Sequence, residues 1–175
     1  MYIMKNIKLL FVLMFLLTSQ VFLSCNNKAD YANVEEMVEA AQSNIAAISV
    51  EEVKQKIDSM EMFNLIDVRE RTEFNYGYIP SAINIPRGSL EFKIANNKYW
   101  ENEGLYLPAK DEEFILCCKK GSRSALAAES LKKLGYKNVK YIKGGFKKWE
   151  LSYPLMQEKN LEEESHQQVE EVGGC

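Results

Sequence analysis

Two adjacent cysteines, Cys117 and Cys118, end the apolar run EFILCC and stand directly before KKGSRS, which passes into the helix-like pattern RSALAAESLKKLG. A strand that delivers a thiol into a short loop, with a helix starting at once, aims several unpaired N–H groups at the sulfur. Those amides and the positive end of the helix dipole favour a thiolate and stabilise an anion attached to it. Gly121 permits a backbone angle barred to bulkier residues, and Arg123 offers a fork of donors for an oxyanion or a sulfur anion. Lys119 and Lys120 add field from more exposed positions. The single histidine, His166, lies far along the chain in an acidic segment, so activation of the thiol is expected to be electrostatic rather than of the Cys–His kind. The four cysteines form no CxxC spacing, and neither a metal nor a cofactor is expected.

The elements that must hold this loop follow from periodicity. The stretch NVEEMVEAAQSNIAAI puts Val34, Met37, Val38, Ala41 and Ile45 on one helical face. SVEEVKQKIDSM opens with Ser49 three residues before Glu52, a capping box for a second helix. FNLIDV, residues 63–68, is a short apolar run ending at an acid, which fits a buried strand feeding a functional loop. RTEF makes one helical turn, AINI a short strand, EFILCC a third strand and NVKYI a fourth, while GGFKKWELSYP reads as a turn and a helix anchored by Phe146 and Trp149. Lys132 and Lys133 complement the dipole at the end of the helix after the cysteines, and Gly135 closes it. Short strands alternating with helices predict an α/β fold, a mostly parallel central sheet with helices on both faces. Ligands in such sheets lie beyond the carboxyl ends of the strands, where LIDVRE and ILCCKK both place their polar residues.

CxxGxRS after an apolar strand, LIDVRERTEFNYGYIPSAINIP upstream and GGFKKW downstream, in that order, resemble the rhodanese-like sulfurtransferase family over roughly residues 45–152. The resemblance implies a rhodanese-like fold and a persulfide mechanism, in which a loop cysteine takes sulfane sulfur from a donor such as thiosulfate and passes it to a thiol or cyanide-type acceptor. It makes Cys118 the nucleophile and Lys119, Lys120, Gly121, Ser122, Arg123 and Ser124 the substrate-binding loop, with Asp67 and Arg69 as a supporting pair. Tyr78 departs from the family, which usually has His there. Phosphatase and arsenate reductase relatives use the longer CxxxxxR, which Cys117 to Arg123 also satisfies. Gly121, three residues after Cys118, favours the sulfurtransferase register, with Cys117 packing as a small apolar residue of the strand. A non-catalytic module that binds a redox or sulfur-relay partner is the other alternative.

Around this core the sequence predicts a signal peptide at residues 1–24, a lipidated tether and helix at 25–44, the rhodanese-like domain at 45–154 and an acidic tail at 155–175. Lys5 and Lys8 precede the apolar run LLFVLMFLL, which is shorter than the roughly 20 residues of a membrane span. LSC before the break resembles a bacterial lipoprotein signal, with Cys25 as the lipid attachment site and Phe22 as a departure. The expected location is the cell envelope, held by acyl chains at the membrane. Removal of residues 1–24 takes the formal charge from −3 to −5, and an acidic chain without a basic stripe is not expected to bind nucleic acid. A reactive thiol outside the cytoplasm calls for a partner that keeps it in play, of the thioredoxin-like kind. Asp67 and Arg69 read first as a buried ion pair fixing loop geometry. Arg87 is a weaker candidate for contact with an anionic donor, and Phe74, Tyr76, Tyr99, Trp100 and Tyr106 are placed near loops without a catalytic role. Cys175, after two glycines, is either a dispensable thiol or one that pairs or resolves a persulfide.

Overall fold

The structure is a computed structural model and describes residues 30–160. The expected signal segment, Cys25, His166 and Cys175 lie outside the described residues. Among the described residues no helix is long and apolar enough to cross a membrane.

Asn33 accepts the N–H of Glu36 and caps α1 (Val34–Asn44). The chain then enters β1 (Ala46–Ile48) and, through the reciprocal Ser49–Glu52 capping box, α2 (Val50–Asp58). β2 (Asn64–Asp67), the short α3 (Arg71–Asn75) and β3 (Ile83–Asn84) follow. A 3₁₀ turn at Arg87–Ser89 leads into α4 (Leu90–Lys93) and α5 (Asn97–Asn102). β4 (Glu113–Cys117), α6 (Ser122–Lys133), β5 (Asn138–Ile142) and α7 (Gly145–Ser152) complete the order.

The five strands form one parallel sheet in the order β1-β5-β4-β2-β3. α1 packs on α6 over one face, and α2 packs on α7 over the other. Strand alternation sorts the side chains: Phe114 and Leu116 of β4 join the core under α1 and α6, while Ile115 and Cys117 join Val53, Phe146 and Trp149 under α2 and α7. β4 lies at the centre. From β2 the chain moves outward to β3, and from β4 it moves the other way to β5, so the carboxyl ends of β2 and β4 flank a topological switch point, where open sheets hold their ligands.

One element differs from the sequence reading, and two segments assigned outside the expected domain pack against it. Ala46, Ala47 and Ile48 read as a continuation of the first helix but form β1, because pairing with Lys140, Tyr141 and Ile142 on the sheet edge outweighs the helix preference of two alanines. The helix assigned to the N-terminal tether, α1, packs with Ala41, Met37 and Val38 into the core beside α6. Of the acidic segment 155–175, residues up to Asn160 are docked. Glu158 and Tyr78 exchange N–H···O bonds of 3.0 and 2.9 Å, and Asn160 N–H donates to the Asn75 carbonyl at 2.9 Å.

Candidate active site

β4 ends at Cys117, whose register partner on β2 is Asp67. One residue later the chain leaves the sheet, and pleat alternation separates the two thiols: Cys117 points to the α7 side and Cys118 to the α6 side. Both are buried and neither is in a disulfide. Burial pushes the Cys117 thiol well above its ordinary value, with the Asp67 carboxylate adding to the effect.

Residues 118–123 are held from beneath by the start of α7. The Cys118 carbonyl accepts the Phe146 N–H at 2.8 Å, and the Lys119 carbonyl accepts the Lys147 N–H at 3.0 Å. In a trans peptide the C=O and N–H point opposite ways, so the N–H groups of Lys119 and Lys120 turn from α7 toward the face that carries Cys118. The Gly121 N–H closes the ring, donating to Cys118 Sγ at 3.1 Å. Gly121 takes φ +101°, the left-handed conformation that starts α6. Gly145 takes φ +59°, and a Cβ there would stand 2.2 Å from the Cys118 carbonyl oxygen, so only glycine lets α7 approach this closely. Sequence reading saw GG as a turn and missed its part in shaping the loop.

The other loop residues have distinct places. Lys119, Lys120 and Ser122 are exposed. Ser124 is fully buried, and its hydroxyl donates to the Gly121 carbonyl at 3.1 Å, tying the first turn of α6 together. Arg123 directs its fork sideways: Nη1 and Nη2 donate to Glu73 Oε2 and Oε1 at 2.6 and 2.8 Å. These bonds lower the Glu73 pKa and raise that of Arg123, to which the nearby Cys118 sulfur also contributes. Glu73 had been passed over as part of one helical turn. Its signal was a carboxylate in the loop beyond β2, next to the loop carrying an arginine with no obvious partner.

Asp67 and Arg69 form the predicted ion pair. Arg69 Nε and Nη2 donate to the carboxylate at 2.7 to 3.0 Å, and both residues are buried. Burial pushes the Asp67 carboxyl up, against the pull of Arg69. Arg69 also donates to the carbonyls of Glu73 and Gly77 and lies 4.2 Å from the Phe146 ring centre, so one guanidinium joins β2, α3 and α7. Asn84, another residue that sequence reading missed, donates to the carbonyls of Asp67 and Arg69 at 3.0 Å. The pair therefore acts as a brace for the loops. Arg87 donates its backbone N–H to Val68, and its Nε is buried without a partner among the described residues.

Phe74 stacks on Tyr78 at 4.0 Å, Trp100 is core, Tyr99 donates to the Asn84 carbonyl, and Tyr106 bonds Glu112 at the amino end of the sheet. Only Tyr76 of the five aromatics lines the cavity of about 520 Å³ beside the cysteine loop, together with Arg69, Glu73, Lys119, Lys120 and Phe146. Among the described residues no cluster of His, Cys, Asp and Glu is arranged to hold a metal ion.

The arrangement is an anion cradle around one sulfur, and the chain that forms it is similar in sequence and in fold to known proteins. The putative sulfur carrier protein YrkF of Bacillus subtilis is 37% identical over 107 residues, 61% of this chain and 52% of that protein. A putative mitochondrial thiosulfate sulfurtransferase of Schizosaccharomyces pombe is 36% identical over 87 residues, 49% of this chain and 61% of that one. The chain thus spans between half and two thirds of the length of these relatives. The human single-domain sulfurtransferase TSTD1 superposes with a TM-score of 0.55 at 27% identity, covering 59% of this chain and 93% of that structure. The family model described as Rhodanese-like domain matches residues 49–152. A match over more than half of the sequence assigns the chain to the rhodanese-like domain family, toward which the cysteine loop had already pointed.

Proposed function

We propose that the protein moves sulfane sulfur from an anionic donor such as thiosulfate to a thiol or cyanide-type acceptor through a persulfide on Cys118. The observation that carries this reading is the Gly121 N–H on Cys118 Sγ, within a loop whose carbonyls α7 draws the other way. In the first step the Cys118 thiolate attacks the outer sulfur of thiosulfate. The donor's S–S bond breaks, its electron pair leaves with sulfite, and the new S–S bond holds the sulfur on Cys118. An acceptor thiolate then attacks that outer sulfur, and the pair returns to Cys118.

Both leaving groups are stable anions, so the chemistry asks for stabilised charge at sulfur more than for proton transfer. Backbone amides and the amino end of α6 supply it. Arg123, already engaged by Glu73, contributes in this reading by holding α3 against the loop. Cys117 is an unsuitable nucleophile, since burial keeps it protonated on the opposite face, and this disfavours the CxxxxxR register.

Mass spectrometry after exposure to thiosulfate tests the proposal. One added sulfur on the Cys118 peptide, discharged by a thiol, is the expected result. Sulfur on Cys117, or phosphate-ester hydrolysis with no thiosulfate turnover, would overturn it. The sequence of residues 1–25 supports the further proposal of export and lipid attachment at Cys25, with a thioredoxin-like protein as reductant. Membrane fractionation of the Cys25→Ala variant checks this: release into the soluble fraction is expected, and unchanged retention would sink it.

A further inference from the structure

A donor such as thiosulfate has two ends. The loop around Cys118 suits its outer sulfur, since the Gly121 N–H already lies against Sγ. Its oxyanion head calls for a donor group of its own, and the arginines decide which. The sequence has four of them. Arg69 is engaged by Asp67 and Arg123 by Glu73, while Arg71 is exposed at the start of α3. Arg87 makes no ion pair among the described residues. Its Nε is buried and has no hydrogen-bond partner there. A guanidinium stays charged and only donates, so a buried N–H of this kind calls for an acceptor that none of the described side chains supplies.

The sheet brings this arginine to the nucleophile's end and face. Val68, just beyond β2, donates its N–H to the Cys117 carbonyl at 2.9 Å, which sets it next to Cys118. The Arg87 N–H in turn donates to the Val68 carbonyl at 3.1 Å. Cys118, Val68 and Arg87 therefore follow the neighbouring strands β4, β2 and β3 at one end of the sheet. The 3₁₀ turn that Arg87 opens packs against α6, the helix that begins within the cysteine loop. That is the sheet face whose core holds Cys118 together with Val68 and Leu90. Two strand spacings, roughly 10 Å, separate the Cys118 and Arg87 backbones, a gap that the two side chains and a small oxyanion fill together. Asp67 and Glu73, the carboxylates of the neighbouring loop, are held by other arginines and leave Arg87 to a ligand.

We propose that Arg87 is the oxyanion subsite of this centre: it binds the sulfonate end of a sulfane donor and selects thiosulfate and thiosulfonates over persulfides of neutral thiols. The assignment rests on the sulfurtransferase reading above and adds to it the residue that chooses the donor. With the head on Arg87, the outer sulfur lies toward the Cys118 thiolate, which attacks it. The donor's S–S bond breaks and its electron pair goes to the departing sulfite, whose oxygens gain charge against the guanidinium. The sulfur that remains on Cys118 carries no such head, so the departure of sulfite frees Arg87 for the next donor.

The test assays the full chain with two donors, thiosulfate and the persulfide of 2-mercaptoethanol, which has no oxyanion. In Arg87→Met, kcat/KM for thiosulfate should fall roughly 10- to 100-fold while that for the neutral persulfide changes less than about threefold. Arg87→Lys keeps the charge without the fork and should recover part of the loss, mainly in KM. Sulfate, which has the head but no sulfur to give, should compete with thiosulfate in the wild type and about tenfold less tightly in Arg87→Met. Equal losses with both donors would make Arg87 a structural residue and overturn the inference, as would an unchanged kcat/KM for thiosulfate. A selective loss in Lys119→Met or Lys120→Met, absent from Arg87→Met, would overturn it in favour of the exposed lysines. Each of these leaves the sulfurtransferase reading intact, whereas wild-type protein that takes sulfur from neither donor would overturn that reading and the inference with it.

Discussion

Cys117 and Cys118 are neighbours in sequence and opposites in environment. Cys117 ends a strand, packs among Ile115, Val53 and Trp149, and is kept protonated by burial beside a carboxylate. Cys118 begins a loop, accepts an amide proton, and sits on the other face with its carbonyl pulled toward α7. The same chemical group is a packing residue in one place and a candidate nucleophile in the next. What separates them is the backbone: strand amides are consumed by the sheet ladder, whereas loop amides at a helix start have no intrahelical partner to satisfy them.

The sharpest way to break that contrast is to exchange the roles. Cys118→Ser is expected to reduce sulfur transfer from thiosulfate to background, and Cys117→Ser to retain it; the reverse outcome in a turnover assay would reassign the nucleophile. Gly145→Ala probes the backbone alone, since its Cβ must move the Cys118 carbonyl and it sits at φ +59°. A stability loss of about 1–3 kcal/mol is expected together with a fall in turnover. Gly88→Ala, with nothing within 4 Å of the added Cβ, serves as the control and should stay within about 0.5 kcal/mol in chemical denaturation.

Cys117→Ala tests the packing half of the comparison and is expected to cost about 1–2 kcal/mol with turnover per folded molecule retained. The same variant tests the raised thiol pKa. Above about pH 8.5 the unfolded thiol ionises while the buried one stays protonated, so the unfolded state binds fewer protons and stability falls as pH rises. Denaturation curves between pH 7 and 10 should show wild type losing up to about 1.4 kcal/mol per pH unit more than the variant. Parallel curves would refute the assignment.

The smallest effect is expected at the Arg123–Glu73 pair. The Glu73 pKa is lowered by Arg123, so its contribution is present above the ordinary carboxylate range and is lost as pH falls through the folded value. Both side chains are about one third exposed, and solvent screening limits the contribution to under about 1 kcal/mol. Glu73→Gln should flatten the acid limb of the stability profile by that amount. An acid limb identical to wild type would show that the pair adds nothing.

Much of the site was legible in one dimension because its parts are local. Ser49 and Glu52 announce their own cap, Gly121 stands where a left-handed residue starts a helix, and Asp67 reaches Arg69 across two positions. Long-range partners were not legible in this way. Glu73 meets Arg123 from 50 positions away, and Gly145 meets the Cys118 carbonyl only because α7 returns beneath the loop. β1 was read as helix for the same reason, its three residues being extended only through pairing with β5.

The sequence by itself determined the α/β class, the thiol-bearing loop and the strands and helices that flank it, because hydrophobic period, turn residues and capping act over a few positions. The tertiary structure alone decided which way each thiol faces, what the Arg123 fork holds and how the loop amides are turned. Those choices depend on a parallel sheet and a returning helix, whose contacts join residues far apart along the chain.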